Sequence, residues 1–304
     1  MNHSRRKFIR QSAMVTAGSL LPLRTLFAAT ANRPLVGIQL YSVRADMKAD
    51  PAGTLQKLSA MGYRYVEHAN YVNRKFYGYT PADFKKLLQD LGLEMRSGHT
   101  VMGKEHWDAA RKDFSDSWKY TVEDAAIVGQ EYVISPWLDN SMRKTADDLK
   151  RYMDVFNACG RLCRQWNMKF GYHNHDFEFT EKMGSGTLYE AILENTDPEL
   201  VIQQLDTGNM HGTGTEAFAV IKRYPGRFLS LHIKDEIAAA NKGEMGHAFE
   251  STLLGKGVVP VKDILAFCAA NGTRHIIIEQ ESYQQVPPLE TCRLNLQTLQ
   301  QWGY

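Results

Sequence analysis

From Arg33 onward the chain alternates short apolar runs with longer amphipathic stretches, and the alternation repeats eight times. Val36–Tyr41, Tyr63–His68, Glu94–Gly98, Tyr132–Ser135, Lys169–Tyr172, Val201–Leu205, Phe228–Ile233 and His275–Glu279 read as strands. Between them, Thr54–Met61, Pro81–Leu91, Trp107–Val128, Thr145–Trp166, Ser185–Glu194, Glu216–Arg223, Val261–Asn271 and Pro288–Trp302 read as helices. Pro81 suits a first helical turn behind Thr80. Leu91-Gly92-Leu93, Val128-Gly129-Gln130 and Asn271-Gly272-Thr273 look like helix stops, because glycine enters the left-handed C-cap conformation without steric cost. Eight strand–helix units predict an α/β protein with a closed (β/α)8 barrel rather than an open doubly wound sheet. No Gly-x-Gly-x-x-Gly follows the first strand, which weakens a dinucleotide-binding fold further.

In such a barrel the strand C-termini meet at one mouth. Polar residues close the last four strands: Tyr172-His173-Asn174-His175, Leu205-Asp206, Leu231-His232 and Ile278-Glu279. Buried at a strand end, an imidazole or carboxylate without a partner is costly, and one shared divalent ion supplies the partner to all of them. The mixed nitrogen and oxygen set lacks thiolates and suits Mn²⁺, Zn²⁺, Co²⁺, Fe²⁺ or Mg²⁺. His173 and His175 are two apart, so both point inward while Tyr172 and Asn174 point away. His173 has the depth of His232 and Glu279 and is the preferred fourth ligand. His175, nearer the rim, would meet substrate. Glu67, His99, Trp137, Lys234 and Asp235 stand at or just beyond strand ends and are candidates for substrate contact. The connection Glu236–Val259 is long and contains four glycines, which reads as a lid.

Composition alters this picture mainly at the N-terminus. Of the 304 residues, about 250 suffice for one barrel, and residues 32–304 are assigned to it. Ser4-Arg5-Arg6-Lys7-Phe8-Ile9, the apolar stretch Ala13–Leu23 and the small residues Ala29-Thr30-Ala31 have the form of a twin-arginine signal peptide over residues 1–31. The apolar stretch is too short for a stable membrane span. Removing it takes five Lys/Arg and no acid, leaving 31 basic against 34 acidic residues, or −3. The mature chain would be periplasmic, with no basic face for nucleic acid. Cys159, Cys163, Cys268 and Cys292 form no disulfide framework, and the first two read as core packing.

The opening Gly37-Ile38-Gln39-Leu40-Tyr41-Ser42-Val43-Arg44, with Tyr172-His173-Asn174-His175-Asp176-Phe177-Glu178-Phe179, Leu205-Asp206-Thr207-Gly208-Asn209, His232-Ile233-Lys234-Asp235 and Ile278-Glu279, resembles the xylose-isomerase-like TIM barrel superfamily. The likeness is to its sugar phosphate isomerase/epimerase branch, beside the AP endonucleases, and runs over the whole chain after residue 31. It implies a metal-dependent enzyme that acts on a carbohydrate. Ketose 3-epimerases of the superfamily hold the metal with two Glu, one Asp and one His, whereas His173 stands at the first Glu position here. Asn209 replaces a common His, which removes one ligand of the endonuclease metal cluster and makes Asn209 a substrate contact. Glu178 matches an acidic residue that contacts substrate in the epimerases. Glu279, assisted by His175 or Glu178, would therefore move the proton. Export favours an unphosphorylated sugar or keto-sugar and isomerase or epimerase chemistry. The alternatives are a keto-sugar or cyclitol dehydratase or hydratase and, in another class, a non-catalytic sugar-binding barrel. Homo-oligomerisation is left open.

Overall fold

The computed structural model describes residues 34–240, 243 and 248–304. The export and cleavage motifs of residues 1–31 lie outside the described residues, as do 241–242 and 244–247 of the long connection. Pro34–Tyr304 form one unit. No helix among the described residues is long and apolar enough to cross a membrane.

Eight parallel strands close a barrel in sequence order. They are β1 Leu35–Gln39, β2 Tyr65–His68, β3 Glu94–His99, β4 Tyr132–Ser135, β5 Lys169–His173, β6 Val201–Asp206, β7 Ser230–Ile233 and β8 His275–Ile278. The closing ladder pairs Leu35 with His275 and Ile38 with Ile278. Each strand sends alternate side chains into the barrel and toward the helices. On β5, Phe170 and Tyr172 face outward and pack on Phe156, while Gly171 and His173 face inward. A Cβ on Gly171 would stand 3.0 Å from Ile134 Cγ1 and 3.1 Å from Ile202 Cγ1, so glycine is what lets those two branched residues fill the barrel's middle layer. Tyr132, Ile134 and Ile202 form this inner cluster, and the larger apolar clusters lie between strands and helices.

The outer layer holds helices α1 Pro51–Met61, α2 Pro81–Asp90, α3 Asp116–Val128, α4 Ala146–Arg164, α5 Leu188–Asn195, α6 Ala217–Arg223, α7 Val261–Ala270 and α8 Pro288–Gln301. Thr80 caps α2 through the Asp83 N–H, and Gly92, Gly129 and Gly272 take positive φ at the expected stops. Two expected helices prove shorter. Trp107–Val128 divides into a hairpin, Trp107–Asp108 against Asp113–Phe114, and α3. Asp108 Oδ1 accepts from the backbone N–H groups of Ala110 and Arg111, and Ser115 caps the helix, so local turn chemistry overrides the apolar spacing. Ser185–Glu194 likewise starts late, because Thr187 and Glu190 form a capping box that places the first turn at Leu188.

Candidate active site

The barrel ladder levels the polar strand ends. Asp206 pairs in register with His232, and His173 is level with Gln204 one inward-facing position below, so these side chains enter the barrel near its C-terminal mouth. Glu279 follows directly after β8. His173, Asp206, His232 and Glu279 each offer one ligand atom, and these four atoms lie within 4.8 Å of one another. All four residues are buried. The structure thus brings His173, rather than His175, into this group. Asp206 Oδ1 accepts from the Asn209 N–H at 2.7 Å, while its Oδ2 is buried and accepts no hydrogen bond.

Beneath these four lies a polar layer that decides which imidazole atoms face them. His232 Nε2 lies 2.5 Å from Glu67 Oε1, and its Nδ1 lies 3.1 Å from Glu279 Oε2. Glu67 also accepts from Gln39 Nε2, from Gln204 Nε2 and, through a short contact, from the Ser97 hydroxyl. Gln204 directs its two amide N–H groups to Glu67 and Ser230, which leaves Oε1 as acceptor for His99 Nε2 at 2.6 Å and His173 Nδ1 at 3.1 Å. With Nδ1 as donor, His173 presents the Nε2 lone pair to the cluster. With Nε2 bound to Glu67, His232 presents Nδ1. This is the arrangement by which an outer carboxylate or amide fixes the ring orientation of a metal-binding histidine.

The charges follow from the same contacts. Burial raises the Glu67 carboxyl, but His99 and His232 beside it bring it down to about 2. Burial disfavours charge on His232, yet Glu279 and Glu67 on either side raise it to about 10. Burial and the neighbouring His232 and His99 hold His173 well below the usual range, so its ring is neutral. Asp206 is raised by burial against the opposing pull of Lys234. A buried carboxylate oxygen without a hydrogen bond, beside two correctly oriented ring nitrogens and a second carboxylate, fits a divalent cation. The nitrogen and oxygen donors suit Zn²⁺ and its first-row neighbours.

Above the cluster, a cavity of about 520 Å³ is lined by His99, His173, His175, Asn209, Glu279 and Glu281, with Tyr41, Tyr71, Val72 and Val101 on its outer side. His99 and Asn209, expected at the mouth, thus both line this cavity. The ring of His175 lies 5.2 Å from that of His173, and its Nδ1 has no hydrogen-bond partner. Burial and then Lys234 lower it to about 4, so it is a neutral base at pH 7. Trp137 stands at the rim and packs edge-on against His175 and Phe177.

Four readings from the sequence change. Glu67 is wholly buried under the histidines and supports His232 instead of touching substrate. Glu178 is also buried. It accepts from the Tyr172 hydroxyl and the His175 N–H, and burial raises it to about 8. It holds the His175 backbone in place and lines no part of the mouth. Asp235 turns away from the mouth: its carboxylate accepts from the backbone N–H groups of Glu236, Gly255, Gly257 and Val259 and so folds the connection behind it. That connection begins as a hairpin, Asp235–Ala238 against Phe249–Thr252, whose Ser251 hydroxyl receives the Glu281 and Ser282 N–H groups. Lys234 is buried behind the wall. Its ammonium lies 2.6 Å from Glu281 Oε1, 3.3 Å from Asn209 Oδ1, 3.4 Å from Glu279 Oε2 and 3.5 Å from Asp206 Oδ2. It therefore positions mouth residues and balances carboxylate charge. Gln204, Gln39, Ser97 and Glu281 are residues of this site to which sequence reasoning assigns no role. The inward alternation along β6 marks Gln204, and Glu281 lies two residues after Glu279.

Fold and site define a class of protein, and comparison places the chain in it. It belongs to the xylose isomerase-like TIM barrel family, whose model matches residues 55–302. Among curated proteins it is similar to inosose dehydratase of Halalkalibacterium halodurans, 32% identical over 188 residues covering 57% of this chain and 60% of the relative. It is also similar to inosose dehydratase of Clostridium tetani, 28% identical over 38% of this chain and 39% of the relative. The chain thus spans about two-fifths to three-fifths of the length of these two relatives. Among solved structures, a sugar phosphate isomerase/epimerase from Parabacteroides distasonis superposes with a TM-score of 0.75 at 23% identity, covering 89% of this chain and 95% of that one. The IolI protein with a zinc atom superposes with a TM-score of 0.66 at 12% identity, covering 88% and 97%.

Proposed function

We propose that the chain is a divalent-metal-dependent isomerase that moves the proton next to a carbonyl in an unphosphorylated sugar or keto-sugar. The observation that carries this is the convergence of His173, Asp206, His232 and Glu279 within 4.8 Å, with Asp206 Oδ2 lacking any hydrogen bond, at the floor of the cavity that His175 lines. The zinc of the IolI neighbour supports Zn²⁺ among the candidate ions. Such an ion supplies Lewis acidity to a carbonyl and its neighbouring hydroxyl, which acidifies the C–H between them. His175 is the neutral base placed to take that proton, and Glu178 holds it in position through the backbone. Glu281 and Asn209, held by Lys234, offer acceptors and donors for substrate hydroxyls. The second reading, loss of a β-hydroxyl from a keto-sugar or cyclic polyol ketone, shares this first step and is favoured by the inosose dehydratase relatives.

Incubating Zn²⁺- or Mn²⁺-loaded protein with inosose and with unphosphorylated ketoses separates the two by NMR. An isomeric product supports the first reading, and loss of water to an enone or its diketone tautomer supports the second. Stoichiometric metal with no turnover of any of these would leave a sugar-binding barrel. Export by the twin-arginine motif is part of the proposal, and an Arg5→Lys/Arg6→Lys chain that still reaches the periplasm would overturn that part.

A further inference from the structure

A second compartment adjoins the mouth. Next to the cavity of about 520 Å³ lies another of about 410 Å³, and the two share Tyr41, Ala69 and Asn70 as a common wall. The second is lined mostly by apolar residues, Leu40, Met47, Pro51 and Tyr77, together with the cations Arg44 and Lys48, and has none of the imidazoles and carboxylates of the floor. Tyr41, Val72 and Val101, all at least a third exposed, line the first cavity. Single exposed hydrophobic residues need no explanation, but a group of them continuous with a polar pocket marks a binding surface.

This wall is built firmly. The Arg44 guanidinium covers one face of Tyr41, with its carbon 4.6 Å from the ring centroid. Arg44 in turn donates to the Tyr283 hydroxyl and to the Tyr41 and Glu281 carbonyls. Val72 sits on a two-stranded turn, Tyr71–Val72 against Lys75–Phe76, which the Tyr71 hydroxyl and Arg74 tie to Asp124 of α3. Ala69 donates its N–H to the Tyr77 hydroxyl at 3.0 Å. The Arg44 donors are engaged in holding this wall, so the mostly apolar lining favours an apolar ring, and Lys48, also in the lining, makes a phosphate the competing occupant to be tested.

We infer that the reacting sugar is a keto-sugar, with its carbonyl on a ring carbon other than the anomeric one, that carries an aromatic ring as a glycosidic substituent, with the sugar over the four-residue cluster and the ring across Tyr41 in the second compartment. This rests on the proposed reading of the mouth as a sugar site. It is tested by calorimetric titration of metal-loaded protein with phenyl β-D-glucopyranoside, methyl β-D-glucopyranoside and glucose 6-phosphate. The phenyl glycoside should bind at least about tenfold more tightly than the methyl glycoside, the order that burial of one aromatic ring gives. Ala69→Leu, which plugs the shared wall, and Tyr41→Ala, which removes its exposed face, should each shrink that ratio to about one with metal content unchanged. Equal binding of phenyl and methyl glycosides by the parent chain, an undiminished ratio in both variants, or tightest binding of glucose 6-phosphate overturns the inference. So does a Tyr41→Ala change in oligomeric state by light scattering without any phenyl preference, which would make the rim an interface between two copies. Parent protein that takes up metal and turns over a ketose yet ignores the phenyl group loses this inference alone, whereas absence of metal binding removes the functional reading first.

Discussion

Replacing His175 with glutamine is expected to abolish proton transfer while sparing the metal centre. The imidazole lines the cavity beside the cluster, its Nδ1 has no protein partner, and burial with the nearby Lys234 keeps it uncharged. A neutral imidazole in that place can accept a carbon-bound proton, and an amide cannot. Loss of a positioned general base costs about 10²–10⁴-fold in rate. Exchange of substrate hydrogen with D₂O, followed by NMR on metal-loaded His175→Gln, should fall by that order with metal stoichiometry unchanged. Exchange within twofold of the parent rate would show that another group removes the proton. Glu178→Gln should act more mildly, because the amide oxygen can still receive the His175 N–H.

The second large effect concerns the cluster itself. Asp206→Ala and Glu279→Gln each remove a carboxylate ligand and should lower metal affinity by at least about 100-fold. Glu67→Gln, which touches no ion but holds His232, should cost about 10–100-fold. Affinity should also depend on pH in a defined sense. In the metal-free protein His232 is raised to about 10 by Glu279 and Glu67, so at pH 7 its Nδ1 carries a proton that an incoming ion must displace. Each ion should therefore release about one proton, and apparent affinity should rise about tenfold per pH unit between about pH 7 and 9, more steeply below that where Asp206, raised to about 6 by burial, is also protonated. Titration in buffers of different ionisation enthalpy measures this directly. A pH-independent affinity would mean that His232 is not a ligand.

The barrel was legible in the sequence because most strands are short and apolar, and glycines or caps such as Thr80, Gly92, Gly129 and Gly272 state where several helices start or stop. Where local side-chain hydrogen bonds competed with that pattern, as at Asp108 and Thr187, helix ends were misplaced. The cluster was legible for a similar reason. A charged or imidazole residue at the end of an apolar run has few places to go other than the mouth, and parallel register puts Asp206 and His232 side by side. The roles of Glu67, Asp235 and Glu178 were not legible, because strand position says that a carboxylate is buried but not which N–H groups it meets. Glu67 meets His232, Asp235 meets the backbone of its own loop, and Glu178 meets His175. Gln204 escaped notice because an amide in an apolar strand carries no charge to flag it. Yet it orients both His99 and His173.

The most direct measurement is the anomalous difference map of a crystal soaked in Zn²⁺ and collected on either side of the zinc edge. One strong peak is expected, with His173 Nε2, Asp206 Oδ2, His232 Nδ1 and a Glu279 oxygen about 2.0–2.2 Å away. A saturated crystal with its zinc bound elsewhere, or with His175 in place of His173 in the coordination shell, would contradict the account.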